Sequence, residues 1–393
     1  MKTTFIVTTY NVLPYLERCF KSLAESVEDG DRVIVVDDGS TDGSADQIEE
    51  LLQQSGLGPE VSSKVILLGT NTFGGVGVAG NVGLYEALSD PTCETIFFVD
   101  GDDWMEPSGF LDCRRKFERE QPDVLIGGYV EYNELEDSFR QPADTKLWSE
   151  VKEFAPNDYG AARNHALRMI AVPWRKFYRA DFLRDTGLRF PEGNFFFEDN
   201  PFHWRVCLKA GSVLFCDAIL CAHRFNRPGQ TMTSTGYELS AFFAHFETIH
   251  ADIRAVNPTG DPDLEVLALV WLLNNMSWHI ERLQVDAHWP YAARAAQTLA
   301  VPNDHVWTKA LETLPKSQIG PMATELRKGN VSGVVGSWAQ TSYVRALETR
   351  LAIVEEQLSA IQPVIKEAAE SVSSLSEIKK FEALQALYFA KSG

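Results

Sequence analysis

Residues 97–107 read FFVDGDDWMEP, and in this stretch three apolar residues lead directly into three carboxylates. Asp100, Asp102 and Asp103 lie within four positions, where like charges repel one another unless a cation lies among them. Carboxylate oxygens are the ligands that Mg²⁺ and Mn²⁺ prefer. The same residues also suit a turn, because Asp and Gly are common turn formers. The stretch therefore predicts a buried strand that ends in a metal site or in a turn.

The chain before this stretch alternates strand and helix patterns. Strands are predicted over 3–10, 31–38, 64–69 and 94–100, and helices over 13–26, 42–56 and 79–89. Continuous apolar strands separated by helices predict a parallel sheet that is covered on both faces. Such sheets bind their ligands beyond the carboxyl ends of the strands.

Three of these predicted strands end in polar side chains. They are followed by Thr9-Tyr10-Asn11, by Asp37-Asp38 and by Asp100–Asp103. Right-handed crossovers place the carboxyl ends of consecutive parallel strands at one edge of the sheet. We therefore expect these polar groups to converge on one site.

Beyond residue 120 the pattern changes twice. Strands are predicted over 123–132 and 212–225 with a helix over 173–187, and the pattern becomes helical from about residue 236. We expect one α/β domain over residues 1–235, a helical domain over 236–340 and a heptad helix or helices over 341–393.

The last predicted segment has apolar residues in alternating steps of three and four. They are Val344, Leu347, Leu351, Val354, Leu358, Ile361, Ile365, Ala368, Val372 and Leu375. Such a heptad pattern predicts a coiled coil that joins copies of the chain, or a long helix docked on the body of the protein. Pro363 is expected to kink this helix or to split it in two.

Charge and composition restrict the class of partner. The net charge is −19, from 36 basic and 55 acidic residues, which argues against a nucleic-acid partner. The six cysteines form no CxxC pair, so we expect free thiols in a reducing cytosol. The N-terminus does not resemble a signal peptide, and no run of 18 apolar residues predicts a transmembrane segment. We expect a cytoplasmic protein, or one peripheral at the inner face of the membrane.

Four segments in order resemble the family 2 glycosyltransferases of GT-A fold. They are TTYNVLPYLERCFKSL (8–23), VIVVDDGSTDGS (33–44), FFVDGDDWMEP (97–107) and FFFEDNPFHWRV (195–206). The resemblance covers about residues 1–230. It implies a GT-A-type, Rossmann-like and mostly parallel sheet that binds a nucleotide-sugar, here followed by a helical region and a coiled-coil-like helix.

The resemblance also implies which residues bind the donor and the metal. Asp38 is the residue expected to contact the base edge, Asp102 the direct metal ligand of the DxD motif, and Asp100 a group near the ribose or a metal-bound water. His223 is expected at the diphosphate or at the metal itself, although HRFNRPGQTMTS (223–234) also fits a basic surface loop. The full set expected at the nucleotide-sugar is Thr9, Tyr10, Asn11, Asp37, Asp38, Asn81, Asp100, Gly101, Asp102, Arg224 and Arg227.

Asp199 resembles the family's catalytic base. It would accept the proton of the acceptor hydroxyl, although Asn200 and Pro201 also suit the N-cap and first position of a helix whose dipole Asp199 would favour. Trp174 is expected to stack on a sugar ring or to belong to the core. Trp174, Lys176 and Glu198 together are assigned to the sugar or acceptor side.

One departure from the family pattern lies in the helix before the DxD strand. Gly80 stands where the family usually has an Arg, so a phosphate or base-side contact is absent or is supplied by Arg224 or Arg227. The glycine-rich run over 74–83 offers backbone N–H groups to a phosphate as another source.

These observations predict a metal-dependent inverting glycosyltransferase that uses Mn²⁺ or Mg²⁺. The donor would be a nucleotide diphosphate-sugar, with UDP favoured, and the acceptor a hydroxyl of a glycan, glycolipid or protein in bacterial surface polysaccharide or glycoconjugate synthesis. An alternative is a sugar-nucleotide-binding or scaffolding protein of the same fold that has lost turnover. A dinucleotide dehydrogenase is disfavoured, because no GxGxxG follows the first strand.

Overall fold

The computed structural model describes residues 1–72, 75–153, 158–193, 196–228, 234–314 and 319–391. Gly74 of the glycine-rich run, Phe195 of the FFFEDN segment and residues 229–233 of the segment after His223 lie outside the described residues. The chain forms two compact units, Met1–Val331 and Ser332–Gly393. The predicted boundary at residue 235 stays a prediction.

One mixed sheet forms the centre of the first unit. Within the described residues its nine strands are β1 Thr3–Thr9, β2 Arg32–Asp37, β3 Ser62–Leu67, β4 Thr95–Asp100, β5 Trp104–Met105, β6 Val124–Asn133, β7 Ser138–Arg140, β8 Lys176–Arg179 and β9 Val213–Phe225. Their order is β3-β2-β1-β4-β8-β6-β9-β5, with β7 paired to β6.

The first four strands pair in parallel, as the sequence predicts, with β1 at the centre between β2 and β4. Every residue of β1 is buried, because its run TTFIVTT lies between helices on both faces. Beyond β4 the pairing changes: β8 is antiparallel to β4 and β6, while β6 and β9 are parallel. The sheet is therefore mixed, with parallel pairing among β1–β4 and between β6 and β9 and antiparallel pairing elsewhere among the described strands.

Thirteen helices are described. They are α1 Leu13–Ala24, α2 Ser44–Gln54, α3 Gly77–Leu88, α4 Pro107–Glu120, α5 Tyr159–Ala166, α6 Ala180–Thr186, α7 Asp199–Lys209, α8 Ala241–Val256, α9 Pro262–Ile280, α10 His288–Leu299, α11 Asp304–Thr313, α12 Ile319–Arg327 and α13 Val331–Lys391. Short 3₁₀ helices cover Thr145–Glu153, Pro173–Arg175, Tyr237–Ser240 and Val285–Ala287. The helical pattern expected from residue 236 onward is α8–α13.

An aromatic core fixes α4 against the sheet. Phe97 of β4 lies between Phe110 of α4 and Phe177 of β8, with ring centroids 5.0 and 4.9 Å away. Phe5 of β1 completes the cluster, and all four rings are fully buried. Aromatic pairs at these spacings add to the free energy of area burial, so the cluster holds the DxD strand firmly at the sheet centre.

The second unit is α13, which continues through Pro363 as one helix. The chain is therefore not split at that proline. Among the described helices, none is both long enough and apolar enough to cross a bilayer.

Candidate functional site

The carboxyl ends of β1, β2 and β4 meet at one edge of the sheet. In the strand register Thr9 lies opposite Asp37, and Thr8 lies opposite Asp100. The convergence expected from the sequence is therefore present in the fold. Gly101 follows β4, and a Cβ there would lie 2.7 Å from the Thr9 side chain, so only glycine fits this position.

Three carboxylates form a compact acidic cluster at this edge. One oxygen each of Asp100, Asp102 and Asp103 lies within 4.8 Å of the others. Burial raises the pKa of Asp100, and the charges of Asp103 and Asp102 raise it further. Burial also raises the pKa of Asp103. Because a divalent cation would offset both the burial and the repulsion, the chemistry of this donor set fits Mn²⁺ or Mg²⁺.

Basic side chains from the end of β9 meet this cluster. Arg227 donates from Nε to Asp102, and Arg224 donates from Nε to the Asp102 carbonyl oxygen at 2.9 Å. The Arg224 guanidinium also pairs with Glu134 and lies 4.5 Å from the Tyr15 ring centroid. Arg224 is buried, which argues against a basic surface loop at this residue, and its role at the diphosphate stays a prediction.

His223 is held by Asp103 and by Trp174. Its Nδ1 lies 2.9 Å from an Asp103 oxygen, and its ring stacks on Trp174 with centroids 4.9 Å apart. Burial lowers the pKa of His223, but the neighbouring Asp103, Asp102 and Asp100 carboxylates outweigh burial and raise that pKa to about 9. Trp174 itself is only 3% exposed, which favours the core interpretation and argues against the expected stacking on a sugar ring.

The groups assigned to the nucleoside lie around the ends of β1 and β2. Asp37 is fully buried and accepts hydrogen bonds from the Thr9 hydroxyl at 3.0 Å and from the Ser40 amide at 2.9 Å. Asn11 has a φ of 51° and accepts from the Thr41 amide at 2.8 Å, so its short polar side chain suits the left-handed conformation. These contacts shape the loop after β2, and the binding role of both residues stays a prediction.

Asp38 and Tyr10 differ in their surroundings. Asp38 is buried and accepts from the Thr72 hydroxyl at 2.8 Å and from the Asn71 amide group at 3.0 Å. Burial raises the pKa of Asp38. Tyr10 is 43% exposed, which leaves its ring accessible to a ligand. Both residues stay predicted nucleoside contacts.

Asp199 opens α7 in a strained turn. The preceding Phe197 has a φ of 65°, an uncommon conformation for a bulky residue and one that is concentrated at functional sites. The Phe197 carbonyl accepts from the Asn200 amide at 3.1 Å and closes the turn. The helix begins at Asp199 with Glu198 as its N-cap residue, so the expected cap at Asn200 was wrong by two positions.

A buried lysine lies near Asp199. Lys176 is 1% exposed and donates to the carbonyl oxygens of Ala171 and Val172 at 3.1 and 2.5 Å. Burial, and then the charge of Arg175, lower the pKa of Lys176 to about 7. Burial raises the pKa of Asp199, and the Lys176 charge partly offsets that rise. Lys176 is thus placed to tune the carboxylate, and its burial argues against the predicted direct contact with a sugar.

Glu198 joins this motif to the glycine-rich run. Its Oε1 accepts from the Val76 amide at 2.6 Å, and the Gly77 amide also interacts with the carboxyl. A Cβ at Gly75 would lie 2.6 Å from the same oxygens, which explains a glycine there. The Val76 and Gly77 N–H groups therefore bind an internal carboxyl group, which argues against a phosphate contact through these two, and the phosphate role of the run stays a prediction.

Gly80 and Asn81 pack against the segment before the Glu198-Asp199 pair. A Cβ at Gly80 would lie 3.0 Å from the Phe190 ring, so this ring fills the space beside the position where the family has an Arg. The Asn81 side chain is buried, accepts from the Phe190 amide and donates to the Phe190 carbonyl and to Glu192. This placement favours a structural role for Asn81, and its contact with the donor stays a prediction.

From the sequence, Asp103 was counted in the acidic cluster but given no role of its own, and Glu134 was not considered. Asp103 accepts from the Arg224 amide at 2.7 Å as well as facing His223, so it positions the segment after β9. The third carboxylate of residues 97–107 was the available signal for it. Glu134 is 90 positions away from Arg224, and no spacing in the sequence links the two.

Comparisons with known proteins find similar glycosyltransferases. Residues 4–186 match the family described as glycosyl transferase family 2. The glycosyltransferase GlyA of Streptococcus pneumoniae is 28% identical over 58% of this chain, and EpsJ of Bacillus subtilis is 27% identical over 57%. The chain spans 31% of GlyA and 61% of EpsJ, so it covers less than two thirds of either relative.

One relative has also been solved as a crystal structure. The poly(ribitol-phosphate) beta-N-acetylglucosaminyltransferase TarS of Staphylococcus aureus is 28% identical over 64% of this chain and 40% of its own length. Residues 1–349 of TarS in complex with UDP-GlcNAc superpose with a TM-score of 0.67 at 22% identity, over 87% of this chain and 92% of that one. This likeness shows the fold. Residues 4–186 of the chain therefore match the glycosyl transferase family 2, and the chain shares the GT-A fold of TarS.

Proposed function

We propose that this protein transfers a sugar from a UDP-sugar to an acceptor hydroxyl, with inversion at the anomeric carbon and with Mn²⁺ or Mg²⁺ as cofactor. The observation that carries the proposal is the acidic cluster of Asp100, Asp102 and Asp103 at the sheet edge where β1, β2 and β4 end. The binding of UDP-GlcNAc by the relative TarS supports a uridine nucleotide.

Asp102 and Asp100 would hold the cation, and Asp103 would position His223 and Arg224 beside it. When bound, the cation stabilises the negative charge that develops on the departing nucleoside diphosphate. Arg227 donates to Asp102, and a diphosphate offers this guanidinium alternative acceptors. We therefore assign Arg224 and Arg227 to the diphosphate. His223 stays a candidate third ligand through its Nε2, because Asp103 holds its Nδ1.

Asp199 is proposed as the catalytic base. The acceptor oxygen forms its bond to the anomeric carbon while the bond from that carbon to the phosphate oxygen breaks, and the hydroxyl proton passes to the Asp199 carboxylate. Attack from the face opposite the leaving group inverts the configuration with a single protein carboxylate. The raised pKa of Asp199 suits this role, because a base is more effective as its pKa approaches the working pH.

A second candidate is a protein that binds the sugar-nucleotide without turnover. Two observations favour it: Arg227 pairs with Asp102, and the Phe190 ring fills the space beside Gly80. Both candidates predict donor binding, so only product formation separates them.

The donor is tested first by thermal shift with UDP, GDP, CDP and dTDP. We expect UDP with Mn²⁺ to raise the melting temperature most and EDTA to cancel the effect, since a ligand at 100 times its Kd stabilises by about 2.7 kcal/mol. Failure of all four nucleotides to shift the melting temperature would contradict both candidates.

Turnover is then measured as UDP released from UDP-GlcNAc. We expect Asp102→Asn to lower this rate by about 10² to 10³-fold and Asp199→Asn by about 10² to 10⁴-fold. The exposed Asp112 is a matched control, and Asp112→Asn should leave the rate unchanged. UDP binding without any UDP release would favour the second candidate.

The acceptor and the setting belong to the same proposal. We place the reaction in the assembly of a bacterial surface polysaccharide or glycoconjugate at the cytoplasmic side of the membrane, with a glycan, glycolipid or protein acceptor. Copies of the chain are proposed to associate through residues 344–375.

A further inference from the structure

The helix α13 presents an unbroken stripe of apolar side chains to solvent. The large members of this stripe, here called the heptad seam, are between 45% and 66% exposed. They are Val344, Leu347, Leu351, Val354, Leu358, Ile361, Ile365, Val372 and Leu375. A stripe of 32 residues on a helix is about 48 Å long, and an exposed apolar surface of this kind marks an interaction site.

We propose that the heptad seam binds the same seam of a second copy of this chain, with the two helices parallel and in register. This inference rests on the self-association proposed above and adds its orientation and register. It follows from the residues that flank the seam, which face one another across a coiled-coil interface.

The flanking residues match in charge when the helices are parallel. With Val344 as heptad position a, Arg350 takes position g and faces Glu355 at position e of the other copy. This pair has opposite charges and repeats on both sides of a symmetric dimer. One heptad later Gln357 faces Gln362, and both are neutral and polar.

The next two flanking pairs match in polarity. Val364 faces Ala369, so an apolar pair extends the seam at that level, and Ser371 faces Ser376. All four successive pairs are thus compatible in the parallel register.

An antiparallel pairing loses this match. When residues 344–375 of two copies overlap fully in opposite directions, each g position faces a g position of the other helix, and each e position faces an e position. Gln357 then faces Val364, and Glu348 faces Ala369, so a polar or charged group meets an apolar one at both levels. The flanking residues therefore select the parallel arrangement.

Pro363 does not obstruct the seam. It falls at position f, on the side of the helix opposite positions a and d, where its missing N–H and its ring lie away from a partner helix. A lipid surface is a poorer occupant than a second copy. From residue 344 to 391 the helix has seven acidic and six basic residues, so it lacks the basic polar face of a helix that binds anionic lipid.

Self-association is tested on the full chain by light scattering coupled to size exclusion. We expect a mass of at least twice 43.9 kDa for the wild-type protein and of one chain for Leu358→Glu. Ser359→Glu adds the same charge one residue along, outside the seam, and should keep the oligomer. A monomeric wild-type protein, with or without binding to vesicles of anionic lipid, would overturn the association itself.

Orientation is tested separately with Val344→Cys and diamide as oxidant. Two thiols lose their protons and two electrons to form one disulfide, and diamide is reduced to its hydrazine. Parallel helices bring both copies of residue 344 together, so most chains should migrate as covalent dimers on a non-reducing gel. In an antiparallel pair the two copies lie about 46 Å apart. An oligomer by mass in which Val344→Cys gives no more cross-link than oxidised wild-type protein would overturn the parallel register alone.

Discussion

The buried Glu198 carboxyl gives a pH dependence of stability that can be calculated. Burial, and then the charge of Asp199, raise the pKa of Glu198 from 4.5 to about 8. The perturbation is Glu198→Gln, which keeps an acceptor oxygen for the Val76 amide but does not titrate. Each unit of pKa difference between the folded and unfolded states corresponds to about 1.4 kcal/mol, so the full effect is on the order of 5 kcal/mol.

The direction follows from proton binding. Below about pH 4.5 the Glu198 carboxyl is protonated in both the folded and the unfolded chain, so it contributes no pH dependence to the free energy of unfolding. Between about pH 4.5 and 8 the unfolded chain loses this proton while the folded protein keeps it, and the free energy of unfolding falls as the pH rises. Above about pH 8 both states are ionised and the loss is complete.

The assay is urea unfolding of wild-type protein and Glu198→Gln at intervals from pH 5 to pH 9. Between pH 5 and pH 7 the free energy of unfolding of the variant should gain about 3 kcal/mol relative to wild type, and the gain should level off above pH 8. Glu60→Gln, at an exposed position, should follow the wild-type curve. Parallel curves for Glu198→Gln and wild type would refute the reasoning, because they would mean that Glu198 is ionised at neutral pH in the folded protein.

Three further predictions concern the cation, the base and the packing of the sheet. Asp102→Asn should abolish the Mn²⁺-dependent part of UDP stabilisation in thermal shift, and a Mn²⁺ effect equal to that of wild type would contradict it. Lys176→Met removes the charge that lowers the pKa of Asp199. In a plot of kcat against pH, the acidic limb should therefore move to higher pH. An unchanged acidic limb would show that Lys176 does not affect the pKa of the base. Gly109→Ala places a Cβ 1.8 Å from a backbone oxygen of β9 and should cost about 1–3 kcal/mol or more in urea unfolding. Gly336→Ala meets no atom within 4 Å, and greater damage from it than from Gly109→Ala would contradict the packing.

The parallel half of the sheet was predictable because its strands are buried on both faces. The run TTFIVTT of β1 and the run RVIVVD of β2 are continuous and apolar, and that pattern is typical of parallel strands covered by helices. The strand β8 was not predicted, since KFYR is short and lies in a segment predicted as a helix. Its burial comes from pairing with β4 and β6, which are distant in sequence.

In the site too, features formed by residues close in sequence could be predicted, whereas contacts between distant residues could not. The clustering of Asp100 and Asp102 could be predicted because residues close in sequence carry the DxD pattern. The hydrogen bond from the Val76 amide to the Glu198 carboxyl was not predicted, because 122 positions separate the two residues. Polar groups that look free for a ligand in the sequence are bound to one another in the fold, and only the three-dimensional structure reveals which ones.

The arrangement of the acidic cluster and the base is tested most directly by a crystal structure of the protein with a UDP-sugar and Mn²⁺. The position of the Mn²⁺ ion is found from its anomalous signal. We predict that a carboxylate oxygen of Asp102 binds the ion together with the diphosphate, that Arg227 turns from Asp102 to the phosphates, and that Asp199 faces the anomeric carbon from the side opposite UDP. An ion bound elsewhere, or an Asp102 carboxylate that still pairs with Arg227 while the donor is in place, would contradict the account.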